Sequence, residues 1–112
     1  MYGERLVSCE RGNMYFQGED IVLRVSGTDS VDLDKAEFTV ALNNADYCMK
    51  KTKESCLRIG ENMYKCVIKS AESAEIPVGT YDIEVLLLTE EERHIAVSRN
   101  ALIMAKSCFG DE

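Results

Sequence analysis

Apolar and polar side chains alternate along this chain in short runs, and turn-forming residues interrupt the runs roughly every ten positions, which confines the fold to short, half-buried strands. In 19–26, Ile21, Leu23 and Val25 fall on one face and Asp20, Val22 and Arg24 on the other. In 36–43, Ala36, Phe38, Val40 and Leu42 point inward, while Glu37, Thr39, Ala41 and Asn43 point outward. The pattern returns at 63–69, where Tyr64, Cys66 and Ile68 share a face, and after Val78-Gly79-Thr80, where Tyr81, Ile83, Val85 and Leu87 do so. Residues 93–98 alternate Ile95 and Val97 against His94 and Ala96, and 100–106 supply a last strand before a frayed tail at 107–112. Leu6, Ser8 and Met14-Tyr15-Phe16 suggest an opening strand that turns at Gly18; 47–50 and the pair Leu57/Ile59 suggest two more.

The punctuation fits hairpins. Asn43-Asn44-Ala45-Asp46 is turn chemistry, because Asn and Asp bond their own backbone and tolerate left-handed dihedrals. Gly60-Glu61-Asn62 turns the chain again, the lysine-rich 50–53 reads as a loop, and Glu90-Glu91-Glu92 forms a charged hairpin tip. Helix character is confined to 71–76, with Ser70 as N-cap, and Pro77 stops it within about one turn. Seven or eight short strands with one helical turn predict a single all-β domain over 1–112, an antiparallel β-sandwich of immunoglobulin-like type.

Composition narrows the partners. The 112 residues suit one domain, and 46% hydrophobic residues with one Pro and seven Gly suffice for a core. Twenty acidic against thirteen basic residues give a net charge of −7, which disfavours a nucleic-acid backbone or an anionic membrane as partner. The first eight residues lack a basic, then apolar, leader pattern and no run of about 18 apolar residues occurs, so neither a signal peptide nor a membrane span is expected. Cys9, Cys48, Cys56, Cys66 and Cys108 are odd in number and lack a C-x-x-C pair, so reduced thiols in a cytoplasmic setting are expected. A Cys48–Cys56 bridge across the lysine-rich loop stays open as an alternative.

Candidate chemistry is sparse. His94, the only histidine, sits beside Glu91, Glu92 and Arg93 with no second ligand or nucleophile nearby, and reads as a surface residue. Cys66 alternates with Tyr64 and Ile68 and reads as a small core hydrophobe, and the carboxylates at Asp29, Asp32, Asp34 and 90–92 lack the offsets of a calcium loop. No catalytic residue, metal site or cofactor is expected, and the chain does not read as an enzyme. The informative anomaly is Val85-Leu86-Leu87-Leu88, where apolar side chains occupy both faces of one strand. Leu86 and Leu88 then need cover from a loop, from Met14-Tyr15-Phe16 or from another subunit, which makes Leu86, Leu88, Tyr15 and Phe16 the candidate interface.

Three segments carry a family resemblance. Gly18-Glu19-Asp20-Ile21-Val22-Leu23-Arg24-Val25, Val31-Asp32-Leu33-Asp34-Lys35-Ala36-Glu37-Phe38-Thr39-Val40 and Ser73-Ala74-Glu75-Ile76-Pro77-Val78-Gly79-Thr80-Tyr81-Asp82-Ile83 occur in this order. Together they resemble the N-terminal β-sandwich domain of phage baseplate upper proteins and related tail-associated proteins. Asp32 can cap the turn before Ala36, Gly79 permits a tight strand entry, and Tyr81 brings an inward ring with a hydroxyl to satisfy. The resemblance implies a phage- or prophage-derived tail or baseplate subunit or adaptor, made in the cytoplasm and incorporated into a virion. It would act through protein partners, itself among them. The competing expectation is a carbohydrate-binding or adhesion module on the same sandwich, against which the absence of Trp argues.

Overall fold

The computed structural model describes residues 6–109. Among these residues nine strands form two sheets: β1 (Val7–Cys9), β2 (Met14–Phe16), β3 (Ile21–Ser26), β4 (Glu37–Asn43), β5 (Cys48–Thr52), β6 (Leu57–Gly60), β7 (Met63–Ile68), β8 (Gly79–Leu88) and β9 (Arg93–Ala105). One sheet has the order β1-β3-β7-β6 and the other β2-β9-β8-β4-β5. All neighbours are antiparallel except β2 and β9, which run parallel. This is the immunoglobulin-like sandwich that the alternation predicts: the first sheet follows the A-B-E-D order, and the second places C, F and G side by side with an added edge strand on each side, β5 and β2.

The inward rows of both sheets meet in one core. Ile21, Leu23 and Val25 of β3 and Tyr64, Cys66 and Ile68 of β7 face Phe38, Val40 and Leu42 of β4 and Tyr81, Ile83, Val85 and Leu87 of β8, all buried. Each large aliphatic in this layer contributes roughly 1.5–3 kcal/mol by leaving water. Tyr81, completely buried, donates its hydroxyl to the Pro77 carbonyl at 2.6 Å, four residues upstream at the strand's entry. That is the tyrosine corner of immunoglobulin-type sandwiches. Two residues on stands Ile83, where antibody domains carry a cysteine, so aliphatic packing takes the place of their inter-sheet bridge.

The structure places several turns as expected. Asp32 Oδ1 accepts the Asp34 and Lys35 amides at 3.0 and 3.2 Å before β4, Asn44 Oδ1 accepts the Asp46 and Tyr47 amides at 2.9 Å, and Thr89 Oγ1 caps the 89–92 tip. Asn62 takes the left-handed φ of 59° that the turn into β7 requires.

Four details differ from the sequence reading. The opening strand is two: β1 joins the first sheet, Gly12 turns the chain at φ 83°, and β2 crosses to the second, where Tyr15 is buried at 1% exposure. The lysine-rich segment is edge strand β5 followed by a 3-10 turn at Lys53–Ser55. Lys51 and Lys53 serve structural ends: Lys51 Nζ reaches Glu72 at 2.6 Å, and Lys53 Nζ donates to the carbonyls of Asp34 and Ala36 beneath the rings of Phe38 and Tyr64. The helical turn α1 (Ser70–Ser73) has Lys69, not Ser70, as N-cap, and the Ser70 amide donates to Asp20 instead. Residues 93–105 are one strand, with a bulge at Asn100 (φ 51°) whose amide is held by Asp82.

The cysteines also differ. Cys56 is bonded to Cys66, not to Cys48 and not free. Leu57 pairs with Lys65 and Arg58 with Tyr64, so Cys56 and Cys66 stand directly opposite with Cα atoms 4.6 Å apart, the spacing of a non-hydrogen-bonded antiparallel pair. Cys66 faces the core as expected but is half of a bridge, and the expectation of reduced thiols throughout is not met at this pair. Cys48 lies exposed on β5 in the other sheet, and Cys9 and Cys108 are outside any disulfide.

Candidate functional site

Strand register builds the outer face of the five-stranded sheet. Across β4, β8 and β9, Glu37 pairs with Leu88 and Leu88 with Arg93; Thr39 pairs with Leu86 and Leu86 with Ile95; Ala41 pairs with Glu84 and Glu84 with Val97. Because side chains alternate across a strand, all of these point away from the core. Val85 and Leu87 are buried beneath, so the double-sided apolar run meets the core on one side only. On the other side lies an apolar stripe: Leu88 is 39%, Val97 43% and Ile95 50% exposed. Leu86, half-buried, floors a shallow depression of about 350 Å³ with Thr39, Ala41 and Ile95, walled by Lys50, Glu84 and Arg93.

The four candidate interface residues separate. Leu86 and Leu88 lie together on this face, where Met14-Tyr15-Phe16 gives them no cover. Phe16 is exposed on the same sheet but at its far end, where β2 pairs Met14 with Ile103 and Phe16 with Ala105. Six residues of β8 separate Leu86 from Thr80, the partner of Ile103, a distance of about 20 Å. Tyr15 belongs to the core and cannot contact a partner; its hydroxyl accepts the Arg11 amide at 3.3 Å. Sequence reasoning did not single out Ile95 and Val97, because their alternation against His94 and Ala96 does not say which pair faces the core. The residue that faces the core there is the small Ala96, opposite Val85.

The charged clusters are structural. Asp34 accepts Arg58 through both carboxylate oxygens at 3.0 and 3.1 Å, the Tyr64 hydroxyl at 2.9 Å and the Asn62 amide at 3.0 Å. The Arg58 and Tyr64 hydrogen bonds hold its carboxyl far below the usual carboxylate range. Burial and the facing carboxylate push the Tyr64 phenol up. Asn62 accepts the Leu33 amide and donates to the Val31 carbonyl, so this node ties the 28–36 connection to the β6–β7 turn. His94 pairs with Glu92 at the 89–92 tip, and the contact lowers the Glu92 carboxyl. Among the described residues no group of three or more His, Cys, Asp or Glu is placed to hold a metal ion. Among the described residues no helix is long and apolar enough to cross a membrane.

No protein-family model matches the chain, and no curated protein gives a significant match. Among solved structures, 87% of the chain superposes on part of a candidate glycoside hydrolase from Bacteroides vulgatus, with a TM-score of 0.53 and 6% identity. The chain spans 17% of that protein's length, and a likeness at this identity concerns the fold alone.

Proposed function

We propose that this chain is a non-enzymatic structural subunit that works through protein–protein association, in the tail or baseplate setting its sequence resembles. The carrying observation is the stripe of Leu86, Leu88, Ile95 and Val97, held flat on the outer face of a regular sheet. Contiguous exposed aliphatics on a rigid surface favour a binding role, because covering them removes apolar area from water at roughly 25 cal/mol per Å². The aromatic side chains speak for this reading over glycan binding: Tyr15, Tyr64, Tyr81 and Phe38 are spent in the core, leaving no stacking platform on the stripe.

The test is Leu86→Lys. Light scattering across a hundredfold concentration range, with and without reductant, should show association in the parent and its loss in the variant, while the melting temperature stays within a few degrees. Unchanged mass and unchanged stability would sink the proposal.

A further inference from the structure

The outer-face rows have a symmetry that singles out one occupant. In the first row, Leu88 is flanked by Glu37 on one side and Arg93 on the other. The next row is Thr39, Leu86, Ile95, and the third is Ala41, Glu84, Val97. Strands lie about 4.8 Å apart, so Glu37 and Arg93 are separated by about 10 Å across Leu88. Neither has an ion-pair partner among the described residues. A charge of each sign, equidistant from a central leucine and unpaired, is self-complementary under a two-fold rotation about the central strand.

We propose that a second copy of this chain covers this face, related by a two-fold axis running along β8. Resting on the association reading above, this names the partner and the contact. The rotation superposes Leu88 and Leu86 on their counterparts and sets Thr39 against Ile95 and Ala41 against Val97. It also sets each Glu37 against the other copy's Arg93, so two ion pairs close the ends of one leucine row. An isologous contact requires this reciprocity, residue i on j and j on i. The two sheets pack face to face with strands within about 30° of alignment, the ordinary geometry of stacked sheets. One contact opposes the dimer: the two Glu84 carboxylates approach across the axis. Each is held only by the Asn43 side-chain amide of its own chain, at 2.7 Å.

Charge reversal with mixing is the experiment. Glu37→Arg and Arg93→Glu each replace two attractive contacts by two repulsive ones, so by sedimentation equilibrium each variant alone should dimerise about tenfold or more weakly than the parent. Both substitutions are at exposed positions, and circular dichroism and melting confirm that each variant is folded. Mixed in equal amounts, the two variants restore both ion pairs and should recover the dimer mass. Glu84→Gln should tighten the parent dimer. A parent that stays monomeric throughout overturns the second-copy proposal and, where Leu86→Lys then changes neither mass nor stability, the association reading with it. A dimer lost in Leu86→Lys but not rescued by mixing overturns the axis and keeps the face. A dimer indifferent to all four substitutions overturns both.

Discussion

Reducing the Cys56–Cys66 bridge perturbs one interaction and removes no atom from the core, because Cys66 keeps its place as a buried thiol. The bridge closes a loop with a sequence separation of 10. In the chain-entropy account a loop of that size restricts the unfolded ensemble by about 3 kcal/mol. At about 2.1 cal/mol/K per residue, 112 residues unfold with an entropy near 235 cal/mol/K, so reduction should lower the melting temperature by about 13 °C. The denaturant slope should rise as well, since the released unfolded chain exposes more surface. The assay is thermal and urea unfolding with and without dithiothreitol, with thiols counted by alkylation under denaturing conditions: three in the oxidised protein, from Cys9, Cys48 and Cys108, and five after reduction. Five thiols in protein purified without reductant, or a melting temperature indifferent to reduction when the count changes from three to five, would refute the reasoning. The residual order of β6 after reduction would rest on Arg58, which clamps Asp34 from this strand.

Gly27→Ala should destabilise the fold by about 1–3 kcal/mol, read as a lower urea midpoint with an unchanged slope, because a Cβ there runs into the Asn62 side-chain amide and Asn62 is held in place by Leu33 and Val31. An unchanged midpoint would mean that the asparagine can swing aside. Acid unfolding should respond to Asp34. Its folded-state pKa lies below its unfolded value near 3.9, so its contribution is fully present above about pH 4 and fades as pH falls toward the folded value. The stability gap between the parent and Asp34→Asn should therefore be widest near neutrality and shrink below about pH 4. Glu19 and Glu72, lowered by the Phe16 amide and by Lys51 respectively, steepen the same acid limb in both proteins. A gap that is constant from pH 7 to 3 would refute the role given to Asp34.

Much of the sandwich is legible in the sequence because period-two alternation states which face each residue takes. β3, β4, β7 and β8 carry it cleanly and supply most of the core. Tyr81 and the Asx turns at Asp32 and Asn44 are equally readable, since each depends on residues only a few positions away. What alternation does not carry is register. Ile95 and Val97 alternate as well as any core pair, and only the pairing of Leu88 with Arg93 across the 89–92 tip turns them outward. Cys56 and Cys66 are likewise a register fact. They are equidistant from residue 61, the middle of the Gly60-Glu61-Asn62 turn, so a hairpin centred there places them opposite one another. The split of the opening strand depends on two sheets competing for six residues, with Tyr15 filling a site that forms only when both are assembled.

The sheet edges favour a face, and not a strand edge, for the association proposed above. An open edge strand templates pairing with another chain unless it is short, bulged or charged. Here β1 and β2 have three residues each, β6 has four and a register shift between Arg58 and Gly60, and β5 carries Lys50 and Lys51 with Lys53 just beyond. Each edge is blunted by one of those devices, even β6 with its exposed Leu57. The middle of the five-stranded sheet has no such protection: β4, β8 and the first half of β9 are regular and fully paired, so the face they present is rigid. A flat surface with its backbone bonds satisfied offers a partner only side chains. On this one they are an aliphatic stripe with one charge of each sign at its end, a pattern that rewards a single orientation of the partner and, in the two-fold arrangement, closes after two copies instead of propagating into a fibre.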